Sequence, residues 1–258
     1  MRRPGVGRVL WARDADPTAG YDGPAAWLRL PGGVVGLAPP GAPLGPRWIK
    51  RAEPWPILAE GETVGVDSAG LHRDHGQLFL RRPQAVGWLG PLPGPSRLGA
   101  ASARALISDA LSSCRPSGLL DPPWRETLEP GIAAIGREAP LDALKIAAGA
   151  LGGLGPGLTP AGDDALSGIL FAFRALGGPT VEPALIAVAR SVRTSDLAIA
   201  ILEAAAGGGH IEPVHDLVMA AAAGDVNAAG NAAAELDRFG SSSGADVAHG
   251  LRLAFTRR

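Results

Sequence analysis

The sequence is poor in the residues on which several classes of protein depend. Its 258 residues include one cysteine, one tyrosine and two methionines, and only 5% are aromatic. The lone Cys114 excludes an intrachain disulfide and a metal site built from several thiolates. Lysine and arginine number 24 against 25 acidic residues, so the formal net charge is -1. Charge therefore gives no reason to expect nucleic acid as a partner.

Long apolar runs are also lacking. The longest, such as residues 146–158, are too short and too rich in glycine to span a bilayer. Residues 1–13 carry arginines without the apolar core of a secretory signal. We therefore expect a cytoplasmic protein with no membrane partner. What the sequence has instead is 37 glycines and 24 prolines within a chain that is 46% hydrophobic, a content that argues against disorder.

The distribution of proline, tryptophan and alanine divides the chain near residue 97. Short runs typical of strands occur before that point, at residues 9–11, 25–30, 34–38, 63–67, 77–80 and 85–88. Alanine and leucine then recur at helical spacing and predict helices over 102–113, 124–137, 141–150, 163–175, 182–192, 195–206, 214–223, 225–239 and 245–256. The predicted class is α+β: a small β barrel or sandwich (1–97) followed by an all-α domain (98–258). No repeat of fixed period is evident.

The densest functional signal is the segment 149–164, in which glycines precede an amphipathic helix. Three of its glycines would allow close backbone approach to a ligand: Gly155, Gly157 and Gly162. Thr159 and Pro160 fit the cap and first position of the helix, which places Asp163 and Asp164 in the first turn. The N–H groups at a helix start bind phosphate or carboxylate. Successive side chains point about 100° apart, so one aspartate could face a ligand or Mg²⁺ while the other anchors the loop.

Two later junctions repeat this pattern of small hydroxyl residues, a helix start and an early aspartate. The first consists of Thr194, Ser195 and Asp196; the second consists of Ser242, Ser243, Gly244 and Asp246. If the three helix starts converge, they form a pocket with anion donors and carboxylates together, suited to a phosphorylated substrate. The alternative interpretation is that all three are ordinary interhelical turns whose aspartates complement the helix dipole.

Other chemistry-bearing residues give weaker signals. His72 and His75 fall in a predicted turn, where a solvated surface is the commoner role. His215 and His249 could face the helical pocket, although a place on a polar helix face is commoner. Cys114 is interpreted as a small packed side chain rather than a nucleophile.

The motif from Gly155 to Asp164 resembles the signature of a bacterial family that includes a subunit of oxamate carbamoyltransferase encoded with allantoin-degradation genes. The junctions at Thr194 and Ser243 are similar to two further signatures of that family, in the same order. The resemblance is sharp over residues 151–253 and loose over residues 1–100. Three positions depart from it: Ala161 stands where the family has serine, Ser195 where asparagine is expected, and Ser241-Ser242 where His-Thr is usual.

The resemblance implies a multisubunit enzyme that moves a carbamoyl group between carbamoyl phosphate and oxamate. Oxalurate lies on the other side of that reaction, and phosphate is the anion released or consumed. The expected partners are therefore a small anionic substrate, such as carbamoyl phosphate or an oxamate-like molecule, and other subunits in a hetero-oligomer. No cofactor is assigned, and a Mg²⁺ requirement stays open.

The resulting hypothesis assigns a role to each site residue. The catalytic candidates are Thr159, Asp163 and Asp164, the first donating its hydroxyl and the aspartates orienting a substrate amine or a metal. The binding candidates are Gly155, Gly157, Gly162, Thr194, Ser195, Asp196, Ser242, Ser243, Gly244 and Asp246. Two alternatives remain: a non-catalytic assembly subunit, and a metal-dependent hydrolase of a small amide or ureido compound.

Overall fold

The structure is a computed structural model that describes residues 5–13, 25–50, 55–73, 78–81, 88, 90–117, 133 and 140–257. Its chain divides into two compact units, Met1–Trp88 and Leu89–Arg258. The first is a β unit and the second is helical, so the predicted α+β class is confirmed. The predicted domain boundary at residue 97 stays a prediction. The predicted strand 85–88 and the predicted helix 124–137 lie largely outside the described residues.

The β unit contains one curled sheet whose strand order is β4-β3-β2-β1-β5-β6-β7. Its strands are β1 (Gly5–Arg13), β2 (Ala25–Leu30), β3 (Gly33–Ala38), β4 (Trp48–Lys50), β5 (Thr63–Val66), β6 (Gly70–Arg73) and β7 (Leu78–Arg81). All neighbours are antiparallel except β3 and β4, which are parallel. The turn at Pro31 and Gly32 joins β2 to β3 as a hairpin.

One face of this sheet carries the apolar core of the β unit. Val9, Leu28 and Leu37 are buried there together with Trp55, whose indole N–H donates to the Ala38 carbonyl at 2.7 Å. His72 lies in β6 rather than in a turn, which corrects the sequence interpretation, and pairs with Asp67 at 2.9 Å.

The helical unit is built from helices joined by short glycine-containing loops. Its described helices are α1 (Pro95–Leu98), α2 (Ala101–Leu111), α3 (Pro140–Leu151), α4 (Ala161–Gly177), α5 (Glu182–Ser191), α6 (Asp196–Ala206), α7 (Glu212–Ala223), α8 (Val226–Asp237) and α9 (Ser243–Thr256), with a 3₁₀ turn at Pro179–Val181. Helix α4 is central, because it is buried from Ala161 to Ala172 and packs on α3, α6 and α9. Among the described residues, no helix combines the length and hydrophobicity needed to cross a bilayer.

Two helix–loop–helix segments of this unit are built alike. In the first (α3 and α4), the Gly162 N–H donates to the Leu154 carbonyl at 2.8 Å, and a Cβ on Gly162 would lie 2.0 Å from the Leu151 carbonyl oxygen. In the second (α8 and α9), the Gly244 N–H donates to the Phe239 carbonyl at 2.9 Å, and a Cβ on Gly244 would lie 1.8 Å from the Leu236 oxygen. We call these segments the first and second copies.

The two copies meet where α4 crosses α9. A Cβ on Gly168 would lie 2.5 Å from the Val247 carbonyl oxygen, and a Cβ on Gly250 would lie 1.9 Å from the Ala165 oxygen. Gly168 follows Gly162 by the same interval at which Gly250 follows Gly244, and Ala165 and Val247 also correspond. The contacts are therefore reciprocal, as a local two-fold relation requires. The duplication is not evident as a repeat of fixed period in the sequence, because the connecting loops differ in length.

Candidate functional site

Asp163 joins two loops to the first turn of α4. Its Oδ1 accepts a hydrogen bond from the Gly153 N–H at 2.9 Å, and its Oδ2 accepts one from the Thr194 hydroxyl. Gly153 has φ +74°, a conformation that favours glycine, and it approaches the Arg193 carbonyl closely. Burial raises the pKa of Asp163, while the bonds from Thr194 and Gly153 act in the opposite direction. This aspartate therefore holds the loop before α4 against the loop before α6.

Asp164 connects the same helix start to α9. Its Oδ2 accepts a hydrogen bond from the Thr159 hydroxyl at 3.0 Å, and Ser243 also hydrogen-bonds to its side chain. Burial raises the pKa of Asp164 to about 8, with the negative charges of Asp246 and Asp163 acting in the same direction. A carboxyl group with this pKa is mostly protonated at neutral pH.

Asp246 occupies in the second copy the position that Asp164 occupies in the first. It is fully buried, and its Oδ1 accepts a hydrogen bond from the Ser117 hydroxyl at 2.6 Å. Each of the three aspartates therefore lies at a helix start and accepts a hydrogen bond from a hydroxyl side chain contributed by another part of the chain. The first-turn placement predicted for Asp163, Asp164 and Asp246 is confirmed.

The structure brings the three predicted junctions together in part. The side chains of Thr159, Thr194 and Ser243 hydrogen-bond directly to the two aspartates of α4. Ser195, Asp196 and Ser242 are instead exposed at the surface. Ser195 caps α6 by accepting a bond from the Ala198 N–H at 3.2 Å.

The predicted capping role of Thr159 is wrong. Pro160 occupies the N-cap position of α4, and no side chain caps this helix. The Thr159 hydroxyl is directed to the Asp164 carboxyl group instead. The N–H groups at the two glycine helix starts are also engaged, since Gly162 donates to Leu154 and Gly244 donates to Phe239. An anion at this site would therefore meet the loop that precedes α4, where Gly155 and Gly157 have φ +99° and +114° and Gly157 is exposed.

Two buried histidines, His210 and His215, connect to this motif through Ser167 of α4, a link that the sequence does not indicate. The Ile211 N–H donates to Nδ1 of His210 at 2.9 Å, so the Nε2–H of the neutral ring donates to the Ser167 hydroxyl at 3.1 Å. Ser167 in turn donates to the Asp164 carbonyl at 2.7 Å. Burial lowers the pKa of His210 to about 3, which keeps the ring neutral.

His215 completes this network with the opposite tautomer. Its Nε2 accepts from the His210 N–H at 3.0 Å, so its Nδ1–H donates to the Pro91 carbonyl at 2.9 Å. Both rings pack edge-to-face on Phe171. His215 is therefore a core residue rather than a residue of a polar helix face, and its ring packs against Phe171 of α4. In the sequence, the only indication of this network is that His210 and His215 follow the glycines at 207–209. That spacing does not reveal the tautomers or the buried contacts.

The donor groups do not form a recognisable metal site. Over the ranges that the structure describes, no group of three or more His, Cys, Asp or Glu side chains is placed to hold a metal ion. The oxygens of Asp163 are engaged by Gly153 and Thr194, and Asp164 carries a pKa of about 8. The engaged oxygens and the protonated carboxyl group do not fit a Mg²⁺ ion. Cys114 is half-buried, and burial raises its pKa to about 11, which does not suit a nucleophile.

The comparisons with known proteins bear on the region just described. Residues 151–255 match the model of a family described as oxamate carbamoyltransferase subunit AllH. The matched region covers less than half of the chain, and it contains Asp163, Asp164 and Asp246. No curated protein and no solved structure matches the chain. The resemblance predicted from the glycine–aspartate motifs is thus confirmed over these residues, which are similar to the oxamate carbamoyltransferase subunit family.

Proposed function

We propose that this chain is a subunit of an enzyme like oxamate carbamoyltransferase and that the loop before α4 helps to bind its anionic substrate. The observation that supports this most directly is the convergence of three segments on Asp163 and Asp164, inside the region that matches the family: the loop before α4, the loop at Thr194 and the start of α9 at Ser243. The substrate class would be carbamoyl phosphate or an oxamate-like carboxylate, and other subunits would complete a hetero-oligomer.

The protonation of Asp164 makes an anion site compatible with nearby carboxyl groups. Three ionised aspartates at adjoining helix starts would repel a phosphate or carboxylate by Coulomb interaction. A pKa of about 8 leaves Asp164 mostly neutral at pH 7, so one of these charges is removed. The backbone of the loop at Gly155 and Gly157 would then supply the polar contacts, while the hydroxyls of Thr159 and Thr194 hold the two aspartates in place.

Catalysis in this proposal depends on positioning rather than on a covalent enzyme intermediate. The amide nitrogen of oxamate would attack the carbamoyl carbon, the bond from that carbon to the phosphate oxygen would break, and phosphate would leave. The nitrogen would lose one proton as the product forms oxalurate. The contribution of this chain would be to hold one reactant in place, because effective concentration alone supplies a large part of such rate enhancements.

The test is binding and transfer by the full chain, alone and assembled with its partner subunits. We expect carbamoyl phosphate, oxamate or phosphate to raise the melting temperature of the chain and expect Thr159→Val and Asp163→Asn to weaken that effect. Asp142→Asn is the control, because Asp142 is an exposed residue of α3. Absence of any ligand-induced shift, with transfer by the assembled enzyme unaffected by Thr159→Val, would refute the proposal.

A specific observation favours a second candidate, a non-catalytic assembly subunit. Gly162 and Gly244 lie against backbone carbonyls, and Asp163 secures two loops, so the motifs also serve helix packing. This candidate predicts that Asp163→Asn lowers assembly with partner subunits while ligand binding by the chain is not detected. The alternative of a metal-dependent hydrolase has no supporting donor cluster among the described residues.

A further inference from the structure

Ser167 and His210 form a buried polar contact next to the first turn of α4. The Nε2–H of His210 donates to the Ser167 hydroxyl at 3.1 Å, and that hydroxyl donates to the Asp164 carbonyl at 2.7 Å. Ser167 has no exposed surface and His210 is 6% exposed, so water does not compete for either bond. A polar contact inside a core specifies one arrangement of its members, because other arrangements leave a buried donor unsatisfied.

The opposite edge of the His210 ring and its backbone are also held. The Ile211 N–H donates to Nδ1 at 2.9 Å, which leaves the single proton of the neutral ring on Nε2. The His210 N–H donates to Nε2 of His215 at 3.0 Å. The His215 ring in turn lies so close to Gly90 that a Cβ on this glycine would be 2.3 Å from it. His210 therefore has one tautomer and one direction in which it donates.

The backbone and the side chain of Asp164 are both engaged. Its N–H donates to the Pro160 carbonyl at 3.1 Å, and its carbonyl accepts the bond from Ser167. Its side chain hydrogen-bonds with Thr159 and Ser243. Thr159 precedes α4 whereas Ser243 begins α9, so the carboxyl group reaches both hydroxyls only when the first turn of α4 has the correct orientation.

We propose that His210 is a positioning residue of the candidate site: through Ser167 it fixes the first turn of α4 so that the Asp164 carboxyl group meets Thr159 and Ser243. The inference rests on the proposed function only in taking the adjoining loop as the anion site. An apolar side chain at position 210 could fill the same space, but it would no longer select one rotamer of Ser167. The loss would therefore affect the geometry at Asp164 more than the packing of the core.

Two variants that remove the contact and one that keeps it test this role. Burial raises the pKa of Asp164 to about 8, so a less closely held carboxyl group that admits water should have a lower pKa. Ser167→Ala and His210→Leu should each lower it by about one unit, the equivalent of one net hydrogen bond. His210→Gln, whose amide can donate in place of Nε2–H, should keep the native value. Carbon NMR of the Asp164 carboxyl group during a pH titration of the full chain measures all three.

Leu217→Ala is the control for loss of packing. Leu217 is a fully buried residue of α7 that takes no part in these hydrogen bonds. This variant should lower the melting temperature, as His210→Leu does, and leave the pKa of Asp164 unchanged. Circular dichroism establishes that each variant is folded before it is titrated.

Phosphate binding relates the same variants to the anion site. Calorimetric titration of the full chain with phosphate should show binding that is about tenfold weaker in His210→Leu and close to native in His210→Gln. Ser167→Ala should resemble His210→Leu, because both break the contact at the same hydroxyl.

The outcomes separate this inference from the proposed function. A titration of Asp164 that is unchanged in both Ser167→Ala and His210→Leu would overturn the positioning role. An equal shift in Leu217→Ala would also overturn it, since the effect would then be one of packing. The expected shifts together with no phosphate binding by the native chain would refute the proposed anion site and still support the role of His210 in holding Asp164.

Discussion

Replacement of glycine by alanine should have opposite effects on stability at two helical positions. Gly250 lies at the crossing of α4 and α9, whereas Gly230 lies outside it. A methyl group on Gly250 would lie 1.9 Å from the Ala165 carbonyl oxygen, whereas ordinary contacts begin at 3.4 Å. Because the obstacle is a backbone atom, rotation of a side chain cannot relieve the contact, and the two helices would have to move apart. Over-packing of this kind costs about 1–3 kcal/mol, and the cost exceeds the gain of about 1 kcal/mol from replacing glycine by alanine in a helix.

Gly230 provides the matched control. It lies in α8 with nothing within 4 Å of an added Cβ, and it is exposed. Gly230→Ala should therefore raise the free energy of unfolding by about 1 kcal/mol through helix propensity alone. Gly250→Ala should lower it by up to about 2 kcal/mol, since the packing cost of about 1–3 kcal/mol is offset in part by the propensity gain of about 1 kcal/mol.

Urea denaturation of the full chain, followed by circular dichroism, measures both changes. The reciprocal contact predicts that Gly168→Ala destabilises in the same sense as Gly250→Ala. An increase in stability for Gly250→Ala comparable to that for Gly230→Ala would refute the close crossing, and with it the duplication of the two copies.

Three further predictions concern single side chains. Burial raises the pKa of Asp164 from its ordinary value of 3.8 to about 8, so the stability gained from its bound proton is complete below about pH 4 and is lost as pH rises through 8. Asp164→Asn should remove this decline in chemical denaturation measured across that range. An unchanged pH profile would contradict the assignment. Cys114, with a pKa raised to about 11, should react with iodoacetamide at pH 8 much more slowly than a free thiol, and a rate equal to that of glutathione would show that it is not shielded. Thr194→Val removes the hydroxyl that donates to buried Asp163 and should cost about 1–3 kcal/mol in urea denaturation, whereas no change would mean that this bond contributes nothing net.

The order of elements and the location of the motif were predictable because both depend on local pattern. Alanine and leucine at helical spacing identify α4 to α9, and the hairpin of β2 and β3 follows from its glycine turn. The first-turn positions of Asp163 and Asp164 follow from the adjoining helix start in the same way. Strands β4 and β6 were missed, because β4 has only three residues and β6 has Leu71 as its one apolar side chain, so neither shows an apolar alternation.

The partners of the motif residues could not be predicted, since they depend on contacts between distant parts of the chain. Thr159 looks like a helix cap in sequence, yet its hydroxyl binds Asp164, because Pro160 takes the cap position. Asp246 is paired with Ser117, which no spacing rule connects. The duplication was hidden for the same reason: its copies share a few glycines and one aspartate, while their loops have different lengths.

The close contact between Gly250 and Ala165 also bears on how the protein is made. Helix α4 leaves the ribosome well before α9, and until α9 has been synthesised the groove at Gly168 and the acid of Asp164 face water. The core of the helical unit can then form only after a late, long-range docking step, which is the kind of contact that slows folding. A nascent chain that has produced α4 but not α9 therefore exposes apolar surface that the finished protein buries.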